Sequence, residues 1–196
     1  MIRILDFLFS FLGLILLLPF TLLIALLVKL SSSGPVLYRQ SRIGLNGAQF
    51  NVFKFRSMRQ NSAKLGLITI GGRDPRVTTV GYYLRKYKLD ELPQLINVLN
   101  GDMSLVGPRP EVKKYVDLYT QEQRRVLSIR PGITDWASIF YRDENIILGK
   151  SSNPEKDYID KVMPDKLNYN LIYINKYGVL EYLKIIFSTL FHIVLP

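Results

Sequence analysis

The residues in this sequence that are best suited to chemistry are two adjacent carboxylates, Asp90 and Glu91. The apolar residues that follow them are spaced like one face of a helix. That helix is predicted to begin near Leu92, because proline, here Pro93, fits a first helical turn. The carboxylates would then lie at the helix N-terminus, where unpaired N–H groups and the helix dipole favour negative charge. Carboxylates and cations gathered at such a helix end can hold a metal ion and a phosphate group.

The pair also has a structural explanation that needs no chemistry. An aspartate ahead of a helix usually caps it, and a glutamate in the first turn usually compensates the helix dipole. For an Asp-Glu pair in isolation we favour that explanation. The flanking sequence changes the balance, because Arg85 precedes the pair and Arg109 follows it in the stiff turn formed by residues 107–110.

The composition narrows the classes of protein to which the chain can belong. Its 196 residues suit one domain with an appendage, and its net charge of +10 indicates an anionic partner: nucleic acid, a phosphorylated substrate or an acidic membrane. The absence of cysteine excludes a disulfide framework and a thiolate metal site. The single histidine, His192, excludes a two-histidine metal site and lies in an apolar stretch, where we expect it to be interfacial or packed.

Residues 4–28 form an apolar stretch long enough for a membrane helix. Pro19 in its middle removes a helical hydrogen bond and is expected to kink or break the helix. Basic residues flank both ends, Arg3 on one side and Lys29 on the other. A straight span would place Arg3 outside the cell, whereas a re-entrant helix bent at Pro19 keeps both basic ends in the cytoplasm, as the positive-inside rule favours. We therefore predict a re-entrant membrane helix over residues 1–30, with its break at Pro19.

The remaining residues, 31–196, are predicted to form a domain of the α+β class, mostly helical with short strands, on the cytoplasmic face of the plasma (inner) membrane. The whole chain would be a monotopic membrane protein. Residues 142–157 are interpreted as a mobile loop, either a lid or an ordinary surface connection. Residues 180–195 are apolar but too short to span a bilayer, and they suit either a helix in the membrane interface or a core-packing helix. We expect strands at 36–38, 50–55 and 104–106, helices at 77–87, 111–128 and 167–177, a loop connecting residues 62–76 and a turn at 130–134.

Five short motifs occur in the order, and near the spacing, of the bacterial sugar transferases, the monotopic polyprenyl-phosphate phosphoglycosyl transferases. Each motif is weak alone, but the five in order are specific, and the resemblance covers nearly the whole chain. The length resembles the minimal single-domain form of the family. The motifs are residues 54–58, 74–78, 89–94, 104–111 and 130–134.

The resemblance implies a reaction. A sugar-1-phosphate moves from a nucleotide-diphosphate sugar, usually UDP-linked, to a polyprenyl phosphate such as undecaprenyl phosphate, releasing UMP, as the first membrane step of surface glycoconjugate biosynthesis. Asp90 would be the nucleophile and form an aspartyl-phosphosugar intermediate. Mg²⁺ would neutralise the diphosphate, with Asp90 and Glu91 as its ligands. Arg85 and Arg109 would bind phosphate oxygens, Arg56 is a weaker candidate for the same role, and no nucleic acid partner is implied.

Four positions depart from the family pattern that these motifs resemble. Asp135 and Ser138 stand where the family usually has glycine and glutamine. Asn170 stands where members often carry a carboxylate, and Tyr182 stands in place of an aspartate. These changes leave the carboxylate pair and both neighbouring arginines in place. They bear on nucleotide and sugar recognition, so the resemblance does not identify the sugar.

Two other interpretations stay open at this point. The chain could be a membrane-tethered basic module that binds anionic lipid or nucleic acid without catalysis, which its net charge allows. That interpretation gives no reason for the Asp-Glu pair or for the turn at residues 107–110. Alternatively, the chain is an enzyme in which Asp90 only binds the metal and polyprenyl phosphate attacks the donor directly. Ping-pong kinetics or a trapped adduct would separate the covalent from the direct route.

Overall fold

The computed structural model describes residues 1–60 and 74–194, and the protein is mostly helical with short strands, as predicted. Residues 62–73 of the predicted connecting segment and residue 195 of the predicted C-terminal helix lie outside the described residues. The helices are α1 (Ile2–Ser31), α2 (Thr79–Lys86), α3 (Gln94–Asn100), α4 (Lys113–Val116), α5 (Trp136–Phe140), α6 (Glu144–Gly149), α7 (Pro154–Asp157), α8 (Met163–Asn175) and α9 (Val179–Val194). The strands are β1 (Leu37–Ile43), β2 (Gln49–Phe55), β3 (Ser104–Val106) and β4 (Gly132–Thr134).

Helix α1 runs through Pro19 without interruption. The predicted break is therefore corrected: a proline inside a helix removes one hydrogen bond and bends the helix, but the helix need not end there. Within the described part of the chain, α1 is the one helix that is long and apolar enough to cross a membrane, with a hydropathy of 2.9. The large apolar side chains in its middle are exposed, namely Ile15, Leu16, Leu18, Phe20, Leu22 and Leu23.

Both ends of α1 contact the rest of the protein. Near the N-terminal end, Arg3 donates to the carbonyl of Leu99 at 3.1 Å, and Asp6 is only 2% exposed. Near the C-terminal end, Ile24 and Val28 are buried in an apolar cluster shared with β2 and α2. The helix is therefore fixed to the domain at both ends, while its middle is exposed.

Two small sheets organise the domain. β1 and β2 form an antiparallel hairpin, and β3 and β4 pair in parallel with Ser104 opposite Gly132. Residues 130–134 were predicted to form a turn, but residues 132–134 form strand β4. Gly132 is required at this crossing, because a Cβ atom there would lie 2.0 Å from the amide nitrogen of Gly107. This close approach fixes the turn that carries Arg109.

The predicted continuous helix over residues 111–128 is wrong. The chain forms the short helix α4, then a turn, and then a 3₁₀ segment, Gln123–Ser128. The cause is a capping box, in which the amide of Gln123 donates to the Thr120 hydroxyl at 3.2 Å and the amide of Thr120 donates to the Gln123 side chain at 2.9 Å. Such a reciprocal pair starts a new helical segment.

The predicted loop over residues 142–157 is also wrong, since this stretch contains α6 and α7. Asn153 caps α7 by accepting from the amide of Lys156 at 3.2 Å. An ion pair between Glu144 and Lys166, with an N–O distance of 2.6 Å, ties α6 to α8. The polar residues that suggested a loop therefore cap short helices and form ion pairs with neighbouring ones.

Helix α9 packs one face in the core, as one of the two interpretations of its sequence predicted, and its place in a membrane interface stays a prediction. Tyr182 and Ile185 are fully buried and pack with apolar residues of α1 and α5. The opposite face is apolar and exposed, and includes Leu180, Phe187 and Phe191. One face therefore joins α9 to the core, and the other leaves an apolar surface beside the N-terminal part of α1.

Candidate active site

Asp90 and Glu91 lie in a 3₁₀ turn between α2 and α3. Helix α3 begins at Gln94, two residues after the predicted start near Leu92, so the pair precedes the regular helix. Both residues are buried, with exposed fractions of 6% for Asp90 and 9% for Glu91. Burying adjacent carboxylates costs free energy unless neighbouring groups compensate their charge. The two carboxylates meet this cost in different ways.

Glu91 is the carboxylate that binds the surrounding cations. Its Oε2 accepts from Nη1 of Arg109 at 3.0 Å, its Oε1 also accepts from the Arg109 guanidinium, and Nζ of Lys54 lies 3.0 Å from Oε1. Burial alone would raise the pKa of Glu91, but the charges of Arg109 and Lys54 outweigh it and hold the pKa well below its usual range. Glu91 in turn raises the pKa of Arg109. Glu91 is therefore an ionised anchor that fixes two cations.

Asp90 has the opposite environment. Within residues 1–60 and 74–194, no hydrogen bond or ion pair to its carboxylate is found. Burial raises the pKa of Asp90, and the negative charge of Glu91 raises it further, whereas the cations Lys54 and Arg85 lower it. A poorly solvated carboxylate with no partner among the described residues keeps its lone pairs available to a metal ion or to an electrophilic phosphorus.

Two of the three predicted arginines lie near the pair. Arg109 contacts Glu91 directly, and the charge of Arg85, in the last turn of α2, acts on Asp90. Their assignment to substrate phosphate stays a prediction.

The third arginine, Arg56, is engaged at the C-terminal end of α1. Its guanidinium donates to the carbonyls of Val28 at 3.1 Å, of Ser32 at 2.6 Å and of Pro35, and its Nε donates to the Ser32 hydroxyl at 3.2 Å. Four of the five N–H donors of the guanidinium are used in this way. A helix end leaves carbonyls that need such donors. The assignment of Arg56 to substrate phosphate is therefore corrected, and the residue caps the C-terminal end of α1.

Sequence reasoning gave no role to two lysines that the structure brings to the site. Burial lowers the pKa of Lys54, although its partner Glu91 opposes this effect. Lys54 is the first residue of the motif at residues 54–58. The spacing of residues in a strand does not show which carboxylate, distant in the sequence, its ammonium will contact. Lys88 follows α2 with φ 57° and is an exposed residue, and partial loss of solvation at its amino group, followed by the charge of Arg109, lowers its pKa.

At three of the four positions that depart from the family pattern, the side chain has a buried polar atom. Asn170 lines a cavity of about 40 Å³ beside Arg109. Asp135 caps α5 by accepting from the amide of Ser138 at 2.6 Å, and its charge acts on Arg109. Oδ1 of Asn170, Oδ2 of Asp135 and Oγ of Ser138 have no hydrogen-bond partner among the described residues. The departures thus place polar groups close to an arginine of the site.

The fourth departure, Tyr182, belongs to a buried cluster on the N-terminal part of α1. Oδ1 of Asp6 accepts from the Tyr182 hydroxyl at 2.9 Å, from the Ser104 hydroxyl at 2.8 Å and from the amide of Leu105 at 2.9 Å. Arg3 lies 4.0 Å from the other carboxylate oxygen. This cluster ties α1, β3 and α9 together.

The oxygen atoms that the carboxylate pair offers decide whether it can hold a metal ion. In the part of the chain that the structure describes, no group of three or more His, Asp or Glu side chains could hold a metal ion. Mg²⁺ is commonly held by one or two carboxylates together with substrate phosphates and water, and a pair of carboxylates fits that pattern. Both oxygens of Glu91 already accept from cations, so the unpartnered Asp90 is the better ligand of the two.

Comparisons with known proteins point to one family. The family model described as bacterial sugar transferase matches residues 1–196. The chain is 41% identical over 189 residues to the UDP-glucose:undecaprenyl-phosphate glucose-1-phosphate transferase of Escherichia coli (strain K12), which covers 95% of this chain and 38% of that protein. It is 38% identical over 177 residues to the UDP-N-acetylgalactosamine-undecaprenyl-phosphate N-acetylgalactosaminephosphotransferase of Aeromonas hydrophila, covering 88% of this chain and 38% of that protein. The chain therefore spans about two fifths of the length of these relatives.

Proposed function

The chain belongs to the bacterial sugar transferase family, and we propose that it transfers a sugar-1-phosphate from a UDP-sugar to undecaprenyl phosphate. The observation that carries the proposal is the buried pair in which Glu91 holds Arg109 and Lys54 while Asp90 has no partner among the described residues. The pair sets a free carboxylate beside fixed cations, as phosphoryl transfer requires. Relatives named for UDP-glucose or UDP-N-acetylgalactosamine and undecaprenyl phosphate support these substrates.

The proposed first step is attack by the Asp90 carboxylate on the phosphorus that carries the sugar. A bond forms between an Asp90 oxygen and that phosphorus, and the phosphoanhydride bond breaks with its electron pair leaving on UMP. An oxygen of undecaprenyl phosphate then attacks the same phosphorus, and the Asp90 carboxylate leaves. The products are undecaprenyl-diphosphate sugar and UMP. Burial of Asp90 removes water from its oxygens, so less solvation has to be lost when it attacks.

The cations around the pair are proposed to receive the phosphate oxygens. The forked guanidinium of Arg109, held in place by Glu91, suits two oxygens of one phosphate. Lys54 and Arg85 add positive charge where negative charge develops in the transition state. Mg²⁺, held by Asp90 and Glu91 with the diphosphate, would supply further charge neutralisation.

We propose that α1 enters the bilayer and returns on the same side. A spanning helix would leave one end on the face opposite the domain, yet Arg3 at one end and Val28 at the other both contact the domain. The exposed apolar middle of α1 would lie among the lipid tails, and the exposed face of α9, beside the N-terminal part of α1, would lie in the interface. Both basic ends of α1 would then lie on the cytoplasmic side of the plasma membrane, as the positive-inside tendency favours.

The covalent step is tested by intact mass. The full chain in detergent is mixed with Mg²⁺ and either UDP-glucose or UDP-N-acetylgalactosamine, without lipid acceptor. We expect a mass increase of one phosphosugar and release of UMP, both absent in Asp90→Asn. The matched control is Asp102→Asn, which removes a carboxylate from the turn after α3 and should leave the adduct intact.

Other outcomes of that experiment separate the competing mechanisms. UMP release that requires undecaprenyl phosphate, without any adduct, would replace the covalent route by direct attack. No UMP release with any donor and acceptor would reject the transferase proposal and favour a basic membrane module without catalysis.

The membrane topology is tested with a single cysteine, because the native chain has none. Ile2→Cys in intact cells should resist a membrane-impermeant thiol reagent added from outside, and should react after the cells are opened. Labelling from outside would overturn the re-entrant arrangement.

A further inference from the structure

Glu111 ends the motif at residues 104–111 and lies two residues after Arg109. Its carboxylate accepts three hydrogen bonds. Oε1 accepts from Nη1 of Arg42 at 2.8 Å and from the amide of Val112 at 2.7 Å, and Oε2 accepts from the Tyr158 hydroxyl. The side chains of the ion pair are 19% exposed for Arg42 and 17% exposed for Glu111. Glu111 is therefore a largely enclosed carboxylate with a full set of partners.

Glu111 also joins β1 through its backbone. The amide of Ile43, the last residue of β1, donates to the Glu111 carbonyl at 2.9 Å, and the two residues form an isolated antiparallel bridge. Arg42 precedes Ile43, and its Nη2 donates to the side chain of Gln40 in the same strand at 3.0 Å. The turn that carries Arg109 is therefore fixed to the β1–β2 hairpin by one backbone bond and one oriented ion pair.

This attachment connects the two cations that bond to Glu91. Lys54 lies in β2, opposite Tyr38 of β1, and Arg109 lies in the turn that ends at Glu111. Glu91 joins the two cations through their side chains, whereas Glu111 joins the backbone segments that carry them. A phosphate that competed with Glu91 for the N–H donors of Arg109 would leave the second connection in place.

Packing alone does not fix the turn. Residues 108–111 all line the cavity of about 40 Å³ beside Arg109. Groups next to a void lose contacts on that side, so close packing restrains them less. At the other end of the turn, the amide of Gly107 donates to the Thr134 carbonyl at 3.0 Å. The bonds of Glu111 supply the corresponding restraint at the end beside β1.

A structural ion pair without any influence on the reaction is the simplest alternative. The composition of the turn argues against it. Pro108 and Pro110 flank Arg109, and the ring of each proline fixes its φ angle, so the turn is stiff. A displacement of Glu111 would therefore be passed on to Arg109 instead of being absorbed by the backbone between them.

We infer that Glu111 is a positioning residue, which holds the guanidinium of Arg109 at a fixed distance from the ammonium of Lys54. Both cations can then bind the diphosphate of the UDP-sugar at the same time. The inference rests on the proposed transferase function and extends it to a residue outside the carboxylate pair. Glu111 would act without touching the substrate.

Glu111→Ala removes the three side-chain bonds and keeps the backbone bond to β1. The kcat/KM for UDP-glucose or UDP-N-acetylgalactosamine, per folded molecule in detergent, should fall about 10-fold or more. Glu111→Gln keeps an oxygen for Arg42, and its amide group can donate to the Tyr158 hydroxyl oxygen, so kcat/KM should stay within about threefold of the native value. The matched control is Glu122→Ala, which removes an exposed carboxylate paired with Arg125 and should behave like the native chain.

Arg109→Lys tests whether the effect passes through Arg109, because lysine keeps the charge but has no fork to be oriented. In that background, Glu111→Ala should lower kcat/KM by less than about threefold. Where turnover is too slow to measure, the affinity for UDP replaces kcat/KM. A loss as large as in the native background would overturn the inference. A lower melting temperature with native kcat/KM would make Glu111 a structural residue and would also overturn it.

Calorimetric titration with UDP and Mg²⁺ separates this inference from the transferase proposal. A native chain that neither binds UDP nor releases UMP would reject the proposed function, and this inference with it. Weaker binding of UDP by Glu111→Ala than by Glu122→Ala supports the positioning role, even if neither sugar donor is turned over. Equal binding together with native turnover rejects the positioning role alone.

Arg42→Met serves if Glu111→Ala does not fold. Methionine keeps an apolar stem and removes the ion pair, while the Tyr158 hydroxyl still donates to Glu111. The dissociation constant for UDP should rise about threefold or more. A native dissociation constant in this variant would overturn the inference.

Discussion

Two buried aspartates, Asp6 and Asp90, show how differently a carboxylate can be accommodated. Asp6 on α1 is 2% exposed and accepts three hydrogen bonds, from Ser104, Leu105 and Tyr182. Asp90 is 6% exposed and accepts none from the residues that the structure describes. The first carboxylate is a structural tie between α1, β3 and α9, and the second is left available to a ligand.

The two aspartates differ in the free energy that burying the carboxylate costs. A buried carboxylate whose oxygens are hydrogen-bonded stabilises the fold, whereas one that is buried without partners is unfavourable and persists only because the surrounding structure supports it. The neighbouring Glu91 holds Lys54, whose charge favours ionised Asp90, although the negative charge of Glu91 itself acts against it. The three predictions below vary the partners of these carboxylates, from the largest expected effect to the smallest.

Asp90→Asn should separate activity from stability. Turnover should fall by about 1,000-fold or more, since an amide cannot serve as the nucleophile. Burial raises the pKa of Asp90, so ionising this residue above its usual pKa of 3.8 lowers the stability of the folded protein. The variant should therefore be as stable as the native chain, or more stable, at pH 7, with the difference narrowing towards pH 4. UMP release measures turnover, and thermal unfolding in detergent measures the stability of the folded protein. A melting temperature clearly below the native value would make Asp90 a structural residue like Asp6.

Glu91→Gln should destabilise the protein by about 2–3 kcal/mol at neutral pH, because it leaves Arg109 and Lys54 without their anion; the partial exposure of Arg109 limits the effect. The pKa of Glu91 is depressed, so its contribution is complete above the usual value of 4.5 and is lost as the pH falls further. Thermal unfolding at a series of pH values should show the two proteins converging below about pH 4.5. A difference independent of pH would show that lost packing, rather than charge, is responsible.

Tyr182→Phe should lower the free energy of unfolding by about 1 kcal/mol, because Asp6 loses one of its three hydrogen-bond donors while the buried ring is kept. Activity per folded molecule should stay at the native level. Tyr177→Phe, at a position that is half exposed, serves as the control and should change neither quantity. A loss of turnover without a loss of stability would show that the contact between α1 and α9 also controls the site.

Local signals in the sequence predicted several of the elements that surround the carboxylate pair. The predicted positions of α2, β2, β3 and the carboxylate pair agree with the structure because proline, apolar spacing and strand alternation act over a few residues. Long-range partners were not predictable in the same way. Residues 130–134 were expected to form a turn, and their strand exists because β3 lies beside it in parallel. Neither segment alone contains that information.

The same limit applies to the cations. Arg56 stands in a motif beside Lys54, and spacing alone gave no reason to separate their roles. In the structure Lys54 bonds to Glu91 and Arg56 bonds to carbonyls at the end of α1. Lys54 lies in β2, whereas Arg56 follows the last residue of that strand, Phe55, so strand spacing does not determine its direction. The capping box at Thr120 was readable as Thr-x-x-Gln, but the apolar residues on either side suggested one longer helix.

The position of Arg56 has a consequence for the depth of the carboxylate pair, if α1 lies in the bilayer as proposed. Arg56 donates to carbonyl groups where α1 ends, and Lys54, two residues earlier in β2, bonds to Glu91. Contacts within one short stretch of protein, rather than the thickness of the lipid, then set the distance from the end of α1 to the carboxylate pair. Under the proposed function, a phosphate carried on a lipid tail would meet Asp90 at the same depth in bilayers of different thickness.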